Sequence, residues 1–338
     1  MSRSSVDQDA AHAITLVRSY VPRTGITTEL AKNVVRLEFG DIPTELIDLT
    51  KMAVLEAAGC MVAGALRGSS RKVLHYARGL GGKPEATCIY YGDRTNIHNA
   101  ALVNGAFCHG AWESVVIPAT LASAEKGMVN GHEVLTAIVL GWEVRLRLAA
   151  AAPLVPLRRP FDPVATFGPF GAAVATGKVQ RFSESEMENA ISCCPAQAAG
   201  TLQTTVTGDE SASVVSGFAA NYGVRAATMA RQGVSGARDM LEGRRGFFMC
   251  IAGLDNDGAP RFDIDQVNDR FGERWYVKDV VPTVSVEEVK ARFRRDAMSA
   301  GIAGAKQEQV VEIVESLETQ NDVDALISGL VLEGVGKT

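Results

Sequence analysis

The stretch CHGAWESVVIPATLASAEKG, at 108–127, gathers a histidine, a tryptophan and a glutamate into five positions. His109 is the side chain there best suited to acid/base chemistry, because imidazole exchanges its proton near neutral pH. Its bland alternative is a histidine that caps or packs a helix. Trp112 and Glu113 either line an opened pocket or close a short junction before the apolar run that begins at Val115. The segment holds no carboxylate pair, no metal-ligand spacing and no evident nucleophile. Cys108 adjoins His109, but neighbours in sequence do not face each other on a helix, so no thiol–imidazole pair is expected.

The composition bounds what can position these groups. A chain of 338 residues makes one large or two ordinary domains. Apolar residues are 46% of it, enough for a sizeable core, while aromatics are only 6%. With Ala and Gly abundant, that balance favours closely packed helices over an aromatic-rich β-sandwich. The net charge is −5 and the basic clusters are short, so Arg292 to Arg295 reads as a solvated helix face, with no nucleic-acid partner. The six cysteines form no CxxC pair, and the adjacent Cys193 and Cys194 suit neither a zinc site nor an ordinary disulfide. A reduced, cytoplasmic setting follows. The N-terminal MSRSSVDQDAAHAITLVRSY has early acids and lacks the apolar core of a secretory signal. No run of 18 uncharged apolar residues occurs, so no membrane span is expected.

Most of the chain reads as helix. Residues 1–27 are expected to be loose. A helix starts at Pro43 and Thr44, and Leu46, Leu49, Ala53, Ala57 and Cys60 recur along one face. Met52, Leu55 and Val62 add apolar bulk around its other sides, as in a core helix. ATCIYYGD, at 86–93, is the best strand candidate. IHNAALVNGAFCHGA is a helix with Gly105 as a weak point, and GHEVLTAIVLGWEVRLRL is a helix with an arginine-bearing end. Pro153, Pro156, Pro160 and Pro163 mark a loop. VATFGPFGAAVATGK is a small-residue helix, and its glycines match no phosphate-binding spacing. Ser183 with Glu186 forms a capping box, and residues 217–233 make another small-residue helix. The helices after Val286 read as surface elements on a short tail.

Taken in order, NGAFCHGA, VIPATLASAEKG, GWEVRLRL, ATFGPFGAAVATGK, AQAAGT, GFAANYGVRAATMARQG and LEGRRGFF resemble the motifs of the MmgE/PrpD family. That family includes 2-methylcitrate dehydratases, cis-aconitate decarboxylases and iminodisuccinate epimerases. The resemblance covers roughly residues 28–250. It implies a mainly α fold: an all-helical MmgE/PrpD-type domain with an α+β lid, the active site between them, and a homodimer. It also implies chemistry without metal or organic cofactor, in which a proton moves beside a carboxylate of a small-molecule substrate. The expected organisation is a loose segment at 1–27, a helical core at 28–281, and residual lid and C-terminal helices at 282–338.

This sequence departs from the family pattern where the chemistry lies. His109 resembles the histidine of the family's NG…AH element, but the acidic stretch and second histidine that follow it there are absent. PFDPV puts Asp162 where the family's catalytic histidine is expected, and GDESASVVSG lacks a basic residue where the family often has a lysine. From Pro282 onward, too few residues remain for a full lid. The resulting expectation is a lyase or isomerase-type enzyme repurposed, in specialised metabolism, toward a less charged substrate. His109 is its acid/base, Asp162 its partner, and Trp112, Glu113, Thr166 and Gln203 its substrate contacts. The bland reading of Asp162 is a turn residue. The rival class is a pseudoenzyme or dimeric binding scaffold.

Overall fold

The computed structural model describes residues 14–111, 113–127, 129–153, 161–280, 284–332 and 334. The helix α1 (Ile26–Arg36) is followed by α2 (Thr44–Gly64), which is apolar on most sides and is central for that reason. Leu46, Val54, Leu55, Met61 and Val62 along it are shut off from solvent. Around α2 come α3 (Gly68–Leu80), α4 (Ile97–Phe107), α5 (Val116–Gly127), α6 (Gly131–Ala151) and α7 (Pro163–Val179). The series continues through α8 (Glu184–Cys193), the short α9 (Gln203–Thr207) and α10 (Val215–Arg231). The architecture is mainly α-helical, as expected.

Small residues set how close these helices come. A Cβ added at Gly105 of α4 would lie 2.8 Å from the Cα of Gly217 on α10. Gly105 is therefore the crossing point of two helices rather than the weak point expected from sequence. Gly141 of α6 and Gly171 of α7 meet in the same way, with a Cβ at either falling 2.7 or 2.8 Å from the other's carbonyl oxygen.

The expected strand at 86–93 is only partly a strand. Ala86–Cys88 pairs antiparallel with Asp93–Thr95, and the chain turns between them, with Tyr90 at φ 74°. The backbone at 89–90 has partners elsewhere. The Ile89 N–H donates to the Asn104 side chain at 2.9 Å, and the Tyr90 N–H donates to the Leu330 carbonyl at 3.2 Å.

The helices after Val286 are also more than a surface tail. Here α11 (Phe247–Ile251) and α12 (Val277–Val280) precede α13 (Val286–Ser299), α14 (Gly304–Glu315) and α15 (Asp324–Gly329). Phe293, Val310, Val314, Leu326 and Ile327 are buried in the same hydrophobic cluster as α2. At the N-terminus, residues 14–19 are helical rather than loose.

The arginine-bearing end of α6 turns inward. The buried Arg147 pairs with Glu143 at 2.6 Å and donates to the carbonyls of Asp269 and Arg274 at 2.8 and 2.6 Å. The rings of Phe271 and Tyr276 each lie 4.7 Å from its guanidinium carbon. Glu143 in turn accepts the N–H groups of Tyr276 and Val277. Every charge in this interior pair is compensated, which is the condition for burying one. The pair fastens residues 266–277 to the helical body.

No single helix among the described residues is long and apolar enough to cross a membrane. The bent pair α2 and α3 reaches that length and composition only together.

Candidate active site

His109 stands just beyond α4, where the helix stops at Cys108 and the chain turns through Gly110 at φ 100°. Its carbonyl accepts a 2.7 Å hydrogen bond from Arg67 at the start of α3. The imidazole is half-buried. Desolvation, then the neighbouring Arg67 charge, hold its pKa below the ordinary 6.5, while the Asp162 carboxylate pulls the other way. The net result is a neutral ring at neutral pH, with a lone pair free to take a proton. Cys108 beside it is fully buried, and burial pushes its thiol well above the ordinary range, so it is no nucleophile.

Asp162 is the N-cap of α7, ahead of Pro163 at the first helical position. Its Oδ1 accepts from the N–H groups of Val164 and Ala165 at 2.8 and 3.0 Å. Its own N–H donates to the Gly200 carbonyl at 2.9 Å. The side chain is almost fully buried. The fold thus gives Asp162 the local task of starting a helix, and places its charge where both His109 and Arg145 feel it.

Arg145 was not singled out from the sequence. It sits two residues before Arg147 on α6 and forms an ion pair with the buried Glu113. Desolvation brings its pKa down to about 10, against the attraction of Asp162, and it stays charged at neutral pH. Glu113 also accepts the Val116 N–H at 3.3 Å, in the first turn of α5. Of its two sequence readings, the geometry favours closure of the junction. The available signal was indirect: a glutamate beside an apolar run needs a cation if it is to be buried. Two guanidinium groups therefore flank the site despite the expected loss of cations, but Arg67 serves a carbonyl and Arg145 a carboxylate.

The other expected contacts are scattered. Thr166, one turn along α7 from Asp162, is fully buried, and its hydroxyl has no hydrogen-bond partner among the described residues. Gln203 opens α9 and is exposed to solvent, while its neighbours Thr201 and Thr204 face a cavity. Trp112 lies outside the described residues. That cavity, of about 210 Å³, is bounded by Asp162, Ala165, Gly200, Thr201, Thr204 and Tyr222 among others. A larger one, of about 550 Å³, lies away from it between the hairpin and α15. Arg94 there already pairs with Glu125 at 2.8 Å. Among the described residues, no group of three or more His, Cys, Asp or Glu could hold a metal ion.

Comparison with known proteins gives a consistent pattern. The model of the MmgE/PrpD N-terminal domain matches residues 28–257. A cis-aconitate decarboxylase-like protein of Aspergillus oryzae is 28% identical over 294 residues, which is 78% of this chain and 59% of that protein. A cis-aconitate decarboxylase of Aspergillus terreus is 27% identical over 278 residues, 75% of this chain and 55% of that enzyme. The human cis-aconitate decarboxylase is 27% identical over 245 residues, 66% of this chain and 49% of that enzyme. The matched part thus spans about half to three fifths of the length of these curated relatives.

Proposed function

The chain belongs to the MmgE/PrpD family, and from that premise we propose that it is a lyase or isomerase-type enzyme working without a cofactor. It moves a proton at a carbon next to a carboxylate, on a substrate less charged than a tricarboxylate. The arrangement that supports this reading is His109 at the turn that ends α4, half-buried, with the buried N-cap carboxylate of Asp162 near enough to raise its pKa against desolvation. That is the arrangement of a base ready to act near neutral pH, with a carboxylate to stabilise the imidazolium it becomes. Asp162 supports the proton transfer. The balance of charge supports the less charged substrate. Arg145 is already compensated by Glu113. Several further carboxylates brought into the site would be buried without partners, which is costly.

The test is a mass-spectrometric turnover screen of the purified protein with cis-aconitate, citrate and 2-methylcitrate, followed by esters of each acid. The expected outcome is loss of water or carbon dioxide from the less charged members, abolished in a folded His109→Ala variant. Turnover unchanged in that variant would sink the assignment of His109.

A second reading, a non-catalytic dimeric scaffold, is supported by the same ion pair. Glu113 occupies the buried cation that a substrate would need. That reading predicts no turnover from any substrate and partner binding that survives His109→Ala. The homodimer is part of both proposals, and sedimentation of the purified chain checks it.

A further inference from the structure

Arg67, Arg145 and Arg147 differ in what they have left to offer a ligand. Arg145 is paired with Glu113, and Arg147 is paired with Glu143. Arg67 has no carboxylate partner among the described residues. Its Nη1 donates to the His109 carbonyl at 2.7 Å, while its Nε and Nη2 make no hydrogen bond among the described residues. Those two groups form one edge of the planar guanidinium, a pair of parallel N–H bonds that matches the two oxygens of a carboxylate. The Nη1 contact fixes where that edge stands, beside the residue whose imidazole is the proposed base. Arg67 is exposed, and the ground around it is open. A Cβ built on Gly68, next to Arg67, or on Gly110, next to His109, meets nothing within 4 Å. The backbone adds to the positive charge. Arg67 is the N-cap of α3, whose first turn holds no acid and whose cap makes no side-chain hydrogen bond.

We propose that the Nε–Nη2 edge of Arg67 receives the carboxylate of the substrate, so that the adjoining carbon lies against His109. This rests on the function proposed above. It makes the substrate a monocarboxylate or the half-ester of a diacid, because one fork takes one carboxylate. A second carboxylate would have the Asp162 charge against it, and Arg145 could answer it only by giving up Glu113. The competing role for Arg67 is structural: its one hydrogen bond would then do no more than hold the turn after α4.

The experiment is an NMR titration of the full chain with crotonate, an unsaturated monocarboxylate, and with crotonamide, a neutral molecule of the same shape, following the His109 imidazole signals. The expected result is saturable binding of crotonate and none of crotonamide. Arg67→Gln should weaken crotonate binding about tenfold or more, the loss of a charge-assisted pair. Arg67→Lys keeps the charge and a donor for the His109 carbonyl but loses the fork, so it should fold normally and bind crotonate several-fold more weakly than the wild type. That variant carries the test alone should Arg67→Gln fail to fold. Crotonate that never saturates, or that binds wild type and Arg67→Lys equally well, overturns the proposal and leaves Arg67 its structural role. Crotonamide binding as tightly as crotonate overturns it too. Crotonate binding that depends on Arg67, with no turnover of any acid or ester, would leave the anchor assigned and sink the enzyme reading. Turnover abolished by His109→Ala, with KM unchanged in Arg67→Gln, would do the reverse.

Discussion

At the residue scale, His109 and Asp162 each combine a structural duty with a proposed chemical one, and substitutions can separate the two. Asp162→Asn keeps an N-cap acceptor, so stability should change by less than about 1 kcal/mol. Asp162 raises the His109 pKa, so removing its charge should lower that pKa further, a shift readable in an NMR titration of the imidazole. An unchanged His109 titration would break the proposed partnership. If neutral His109 is the base, kcat/KM should fall on the acid side as the ring protonates, with a midpoint below the ordinary 6.5. The same depression bears on stability. His98, desolvated and hydrogen-bonded to Thr228 at 3.1 Å, is shifted downward as well. For both groups the unfolded chain takes up protons first as pH falls. Their contribution is therefore complete above 6.5 and is lost as pH drops through the folded values. Urea midpoints measured from pH 8 down to about 5 should decline, and less so in a His98→Gln, His109→Gln double variant.

At the element scale, the helix crossings and the interior ion pair carry the architecture. Gly105→Val pushes a branched side chain into the backbone of α10 at Gly217 and should cost about 3 kcal/mol of unfolding free energy. Arg147→Met leaves Glu143 buried without its cation and frees the carbonyls of Asp269 and Arg274. It should cost about 3–5 kcal/mol, and Arg147→Lys should rescue little, because an ammonium cannot span those acceptors in a plane. Chemical denaturation measures each, and hydrogen exchange should show the loss concentrated at 266–277. Both features bear on what the sequence could say. The apolar period of α2 and the Ser183–Glu186 capping box were readable because they are local. The crossing of Gly105 with Gly217 and the reach of Arg147 were not, because their partners lie more than a hundred residues away.

At the scale of the whole molecule, the ordered motifs were enough to place the family and the helical fold, since motif order survives wide divergence. The site was less legible. His109 and Asp162 could be put forward as candidates from their positions in motifs. Arg145 could not, because only folding brings α6 against the 109–116 junction. The cavity beside α10 was hidden for the same reason, being built from residues of α3, α4, the 210–214 turn and α10 itself.

The closure of the 109–116 junction by Glu113 has a consequence for lengthening the chain there. Extra residues in a surface loop are cheap, about 0.6 kcal/mol for each doubling of its length. The location of the insertion matters more than its size. Residues spliced in directly after Gly110 leave Glu113 seated on Arg145 and on the Val116 N–H, and should be accepted. The same residues spliced between Glu113 and Val116 pull the carboxylate away and strand a guanidinium in a dry setting. The position of tolerated inserts along these few residues would therefore map where the fold is closed by chemistry and where it is closed merely by a short tether.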